Sequence, residues 1–79
     1  MINESEMSRY VRKAVDSYFK ELDGEKVSGV YNMVINCIEK PLIETVLHRC
    51  EGNQLRTAAV LGINRNTLRK KMKAHGIKG

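Results

Sequence analysis

Apolar side chains recur along this chain at helical spacing. From Ser8 to Leu22, the residues Val11, Ala14, Val15, Tyr18, Phe19 and Leu22 follow at offsets of three, one, three, one and three, which places them on one continuous helical stripe. Ser8 can cap the start, its hydroxyl accepting from an otherwise unpaired amide of the first turn, and Asp23 with Gly24 supplies a stop. A loop is expected near residues 23 to 27. From about Ser28 to Cys50, Val30, Val34, Cys37, Ile38, Leu42, Val46 and Leu47 recur every three to four residues, with Tyr31, Met33, Ile35 and Ile43 added between them. Such a helix is apolar on more than one side, and one short partner helix cannot cover it, so a second copy of the chain is the economical source of cover. Pro41 removes a backbone donor and crowds the carbonyl of Cys37, which predicts either one helix kinked near residues 37 to 41 or a break into two helices. The stripe keeps its phase across the proline, which favours the kinked helix.

Gly52 punctuates the pattern, and two short helical segments follow, about Gln54 to Leu61 and about Arg65 to His75, separated by Gly62, Ile63 and Asn64. Two short helices joined by a three-residue turn containing glycine form a helix-turn-helix arrangement. Ala58 and Ala59 are small where the helices must cross closely. Gly62 can turn left-handed at the bend, Ile63 can plug the corner, and Asn64 can cap the second helix. Leu68 and Met72 then face inward, towards Leu61, Ala58 and the long helix. Gly76 followed by Ile77 reads as a glycine stop whose next residue packs back.

Charge changes the picture. Residues 52 to 79 carry seven basic side chains (Arg56, Arg65, Arg69, Lys70, Lys71, Lys73, Lys78) and no acid, whereas residues 1 to 51 carry seven basic and nine acidic ones. The positive excess therefore sits in the last third of the chain, as expected when one segment meets a polyanion, and nucleic acid is the polyanion expected. With Leu68 and Met72 inside, Arg65, Asn66, Arg69, Lys70 and Lys73 fall on the outward face of the last helix, with Thr67 at its edge. Arg65 and Asn66 occupy the first turn, the part of a recognition helix that enters the major groove deepest, and arginine can donate two parallel hydrogen bonds to guanine. Lys70 can also reach a base edge. Arg69, Lys71 and Lys73 suit phosphates, and Asn53, Gln54 and Arg56 can grip the flanking backbone.

A chain of 79 residues has room for one domain and little margin of stability, so oligomerisation would help. Cys37 and Cys50 lack CxxC spacing and do not complete a zinc pattern with His48 and His75, so they read as free thiols, with a regulatory disulfide or a metal site as the lesser alternatives. The two histidines read as packing or capping residues. Asp16, Glu21, Glu39 and Glu44 converge on no pocket, and no nucleophile with a partnered base can be proposed, so an enzyme is not expected, nor any cofactor or small-molecule substrate. The start is polar and no apolar run is long enough to span a bilayer, so a cytoplasmic protein without a membrane partner is expected. Order is expected throughout except in the first few residues.

The segment GNQLRTAAVLGINRNTLRKKMKAHGI, Gly52 to Ile77, closely resembles the end of the Fis family, the Factor for Inversion Stimulation proteins of the bacterial nucleoid. The resemblance continues through EKPLIETVL (Glu39 to Leu47), including Pro41, and VRKAVDSYFKELDG (Val11 to Gly24). The helix-turn-helix segment alone is also similar to the C-terminal domains of NtrC-type enhancer-binding activators, but a chain that begins at Met1 is expected to be of the Fis type, without an ATPase module. The resemblance implies a homodimer whose first two helices intertwine into a four-helix core, with Val11, Val15, Phe19, Val30, Val34, Ile38 and Leu42 at its centre. It also implies two projecting helix-turn-helix units that bind and bend double-stranded DNA. Carried over, Arg65 would read a guanine at each end of the site, and Asn64, Thr67 and Lys70 would contact bases or nearby backbone. Asn53, Gln54, Arg56, Arg69, Lys71 and Lys73 would contact phosphates or flanks. Leu55 and Ala74 depart from the family, which carries a hydroxyl and a basic residue there. Only ten residues precede Val11, too few for the mobile arm of longer members, so stimulation of DNA inversion is not expected.

The sequence thus predicts an all-α chain of four helices, with residues 1 to 51 for dimerisation and 52 to 79 for the helix-turn-helix, serving DNA binding, DNA bending, nucleoid organisation and transcription regulation. The alternatives are the separated DNA-binding domain of an enhancer-binding activator, or a dimeric helical module whose basic tail meets an acidic protein or RNA.

Overall fold

A computed structural model of the chain describes residues 4–23 and 25–79. Among these the fold is all-α, with α1 (Glu4–Leu22), α2 (Val30–Arg49), α3 (Gln54–Leu61) and α4 (Arg65–Ala74) in chain order. The stop assigned to Gly24, and the first residues, expected to lack order, lie outside the described residues.

Helix α1 starts four residues earlier than its apolar stripe suggested, so Ser8 lies inside the helix and is not its cap. The reason is visible in the added turn. Met7 extends the stripe four residues before Val11, and Glu6 places a carboxylate where the helix dipole favours one. At the other end the Asp23 amide still donates to the Phe19 carbonyl at 3.2 Å before the chain turns off. Helix α2 runs unbroken through Pro41, which settles the choice between one helix and two.

The chain divides into two compact units, one ending at Val34 and the other Ile35–Gly79. In the first, Val11, Val15, Tyr18 and Leu22 are half-buried and Phe19 is 52% exposed. Every fully buried apolar residue among the described ones belongs to the second unit: Ile43, Leu47 and Cys50 from α2 and its end, Ala58 from α3, and Leu68 and Met72 from α4. Leu61, Ile63 and Ile77 pack against this core. The compact unit is therefore larger than residues 52 to 79, because the last part of α2 supplies one wall of it.

The two-sided apolar character of α2 now has a physical account. Ile43, Leu47 and Cys50, four and three apart, form the face turned to the core. Ile35, Ile38 and Leu42, three and four apart, lie on another face and stay 37%, 37% and 47% exposed.

All three helices of this unit end in the same way, with paired bonds from two successive residues beyond the helix back into its last turn. After α2, Gly52 donates to Leu47 and Glu51 to His48, at 2.9 and 3.0 Å. After α3, Ile63 donates to Ala58 and Gly62 to Ala59, at 3.0 and 3.2 Å. After α4, Ile77 donates to Met72 and Gly76 to Lys73, at 2.8 and 3.2 Å. This is the Schellman arrangement, which needs a left-handed residue just past the helix. Gly62 (φ 75°) and Gly76 (φ 67°) meet that need without strain, as their sequence positions suggested. Glu51 (φ 54°) meets it with a side chain, which the sequence did not announce.

Candidate nucleic-acid interface

Two asparagines set where the short helices begin. The Asn53 side chain accepts from the Arg56 amide at 3.0 Å, and the Asn64 side chain accepts from the Asn66 amide at 2.7 Å. Both caps satisfy amides that a helix start otherwise leaves open, and they start α3 and α4 at Gln54 and Arg65, where the sequence predicted. Thr57 is fully buried, its hydroxyl donating to the Asn53 carbonyl at 2.7 Å, so a polar residue inside the core still has its partner. Ala58 is buried at the crossing, as its size suggested. Ala59 is exposed, so the close approach of α3 rests on Ala58 and not on both alanines.

Leu68 and Met72 anchor α4, at 0% and 4% exposure. With successive residues about 100° apart around a helix, Asn66, Lys70 and Lys73 point away from that anchor and Arg69 lies at the side. Arg65 projects from the first turn. Asn64, Arg65, Asn66, Thr67, Arg69, Lys70 and Lys73 are all exposed. At the start of α3, Asn53 and Arg56 are exposed and Gln54 is half-buried. Gln54 joins Asn66, Arg69, Lys70 and Lys73 in lining one open depression, together with Met72, Ile77 and Gly79. The structure thus brings Gln54, Asn66, Arg69, Lys70 and Lys73 onto one open, acid-free surface, while Asn53, Arg56, Asn64, Arg65, Thr67 and Lys71 are not among the residues that line it.

Lys71 is placed differently. Its ammonium donates to Glu39 Oε2 at 2.7 Å, and His75 Nε2 bonds Glu39 Oε1 at 2.9 Å. Hydrogen bonds from Lys71 and then His75 hold the Glu39 carboxyl below its ordinary range. Sequence reasoning passed over this trio, although a signal existed. Lys71 lies only about 60° round α4 from Leu68, and His75 closer still, so both fall on the inner side. His75 also ends α4, its amide donating to the Lys71 carbonyl at 3.0 Å. Cys37 is exposed and Cys50 buried, both as free thiols.

Two short, asparagine-capped helices crossing at an alanine, joined through a left-handed glycine and presenting a basic outer face, define a helix-turn-helix protein. Residues 36–75 match the family described as "Bacterial regulatory protein, Fis family". The chain is 47% identical over 76 residues to a protein of Ralstonia nicotianae, covering 96% of this chain and 99% of that one. It is 46% identical over 72 residues to one from Neisseria meningitidis serogroup A, covering 91% of each. With one from Xylella fastidiosa strain 9a5c it shares 49% over 74 residues, 94% of this chain and 82% of the other. Each of the three is named "Putative Fis-like DNA-binding protein". The chain belongs to the Fis family of bacterial regulatory proteins. Among the described residues no helix is long and apolar enough to cross a membrane.

Proposed function

We propose that this chain is a homodimeric, Fis-like protein that binds and bends double-stranded DNA, acting in nucleoid organisation and transcription regulation. The observation that carries the reading is the exposed basic surface of α4, where Arg65 projects from the first turn and Asn66, Arg69, Lys70 and Lys73 stand exposed beyond it, with no acidic residue between Gly52 and Gly79. Arg65 leads into the major groove and donates to a guanine edge, with Asn66 and Lys70 beside it and Asn64 and Thr67 against bases or adjoining backbone. Asn53, Gln54, Arg56, Arg69 and Lys73 hold phosphates and fix the register. The relatives' names support DNA as the polyanion.

Dimerisation is supported by the apolar side chains this chain leaves uncovered, Phe19 in the first unit and Ile38 with Leu42 in the second, each more than a third exposed. Val11, Val15, Val30 and Val34, all half-buried, complete the set that a second copy would cover. A dimer presents two recognition helices to one duplex, and where their separation is shorter than a helical turn of DNA, binding requires a bend. Preference then falls partly on how easily the uncontacted centre deforms.

The test is a titration of wild type and Arg65→Ala against a duplex with guanines at both ends of an A/T-rich centre, and against the same duplex with those guanines replaced. A loss of about 1 to 3 kcal/mol confined to the matched duplex is expected. With ~4 phosphates neutralised per protomer, log affinity should fall against log salt with a slope of roughly −7. Equal loss on both duplexes would leave only a basic patch with some other partner.

A further inference from the structure

Lys71 is the half-buried cation of an otherwise exposed basic array on α4, and its position has a cause. Glu39 projects from α2 and takes Lys71 on one oxygen and His75 on the other, at 2.7 and 2.9 Å. Lys71 and His75 are four apart, one turn of α4, so the carboxylate spans two successive turns of that helix. The side chains of Glu39 and His75 keep 19% and 11% of their surface, while that of Lys71 keeps 37%. Leu68 and Met72 fix how deep α4 sits, but apolar contacts are tolerant of small slides and rolls. Two charge-assisted bonds from one carboxylate to successive turns are not, because a shift along the axis lengthens one of them and a roll lengthens both.

We propose that Glu39 is a positioning residue for the outer face of α4, acting through Lys71 and His75, and that Lys71 serves this clamp and does not contact phosphate. The proposal deepens the DNA-reading assignment and rests on it. Arg65 lies at the start of α4, whereas the clamp holds its last two turns. A roll of α4 therefore displaces the Arg65 guanidinium across the guanine edge, and loss of the clamp lowers discrimination between sites more than it lowers affinity for DNA in general. The clamp also withdraws one cation from the array, since an ammonium already held by a carboxylate releases no counterion from DNA.

The experiment compares wild type, Glu39→Gln, Lys71→Met and Lys73→Met, each first checked for folding by circular dichroism. Affinity is measured for matched and mismatched duplexes across a salt series, and the Glu39 carboxyl carbon is titrated by NMR without DNA. Lys73→Met should flatten the salt slope by about 0.9 for each phosphate that is no longer neutralised, while Lys71→Met leaves the slope unchanged. Lys71→Met and Glu39→Gln should both cut the matched-to-mismatched ratio several-fold, and the Glu39 titration in Lys71→Met should move up towards the ordinary carboxylate range. A slope flattened by Lys71→Met as much as by Lys73→Met would overturn the proposal. So would a ratio unchanged in both clamp variants, or a Glu39 titration unmoved by Lys71→Met. If wild type itself binds no duplex, it is the DNA reading that fails, and the clamp is still judged by the Glu39 titration. Should Glu39→Gln fail to fold, Lys71→Met carries each of these comparisons.

Discussion

Leu42 and Leu68 are the same side chain in opposite circumstances, and truncating each to alanine asks what covers α2. Leu68 is 0% exposed in the core of the second unit, and Leu68→Ala removes fully packed atoms, for which about 2 to 5 kcal/mol is expected. Leu42 is 47% exposed. Full burial of a leucine side chain stabilises by about 1.5 to 3 kcal/mol, so what the single chain buries at Leu42 is worth roughly half of that, about 1 kcal/mol. A second chain over Ile35, Ile38 and Leu42 would complete the burial and raise the cost of Leu42→Ala to the scale of Leu68→Ala, counted once in each protomer. The assay is urea unfolding of wild type and both variants at two protein concentrations. If unfolding and dissociation are coupled, a hundredfold dilution destabilises wild type by about 2.7 kcal/mol. Midpoints independent of concentration, together with a Leu42→Ala cost of only about 1 kcal/mol, would refute the covered face and with it the dimer.

Two further outcomes follow from local geometry. Gly62→Ala places a Cβ where nothing lies within 4 Å, so its cost is the left-handed backbone alone, a net loss of roughly 1 kcal/mol by thermal or urea unfolding. An unchanged midpoint would mean that φ 75° is not held in solution. Acid is the second. The Glu39 carboxyl is lowered from 4.5, so its contribution is present in full above that value and is lost as pH falls through the folded-state value below it. Wild type should therefore lose stability more steeply than Glu39→Gln as pH drops below 4.5, and parallel acid-unfolding curves would contradict the bonded carboxylate.

Local signals in this chain were legible where a single residue decides the outcome. Asn64, Gly62 and Gly76 each fix a helix end through their own backbone or side-chain chemistry, and α3 and the start of α4 fall at the expected residues, whereas Asn53, read in the sequence only as a backbone contact, also caps α3. The two-sided stripe of α2 was legible as well, although periodicity could not say which face the chain covers itself. Ser8 misled because a good capping residue also tolerates a helix interior when Met7 continues the stripe behind it. Glu51 gave no notice, since glutamate has no preference for the left-handed region it occupies. The Glu39 trio was hidden for a different reason. Helical phase places Lys71 and His75 on the inner side of α4, but which acid awaits them depends on how α2 and α4 pack across 32 and 36 residues of chain.

The contribution of Ile43 and Leu47 to the core bears on how this binding unit can be moved. Cut at Gly52, a fragment keeps both Asn-capped helices and every basic residue of the array, yet it lacks one wall of its own interior and the carboxylate that holds Lys71. A chimaera joined there would carry a complete outer face on an unfinished inside. The transferable piece begins near Ile35, so a graft onto another dimerising stem has to bring half of a helix with it, and the junction falls in mid-helix, where the helical phase of the stem sets the direction in which the basic face looks.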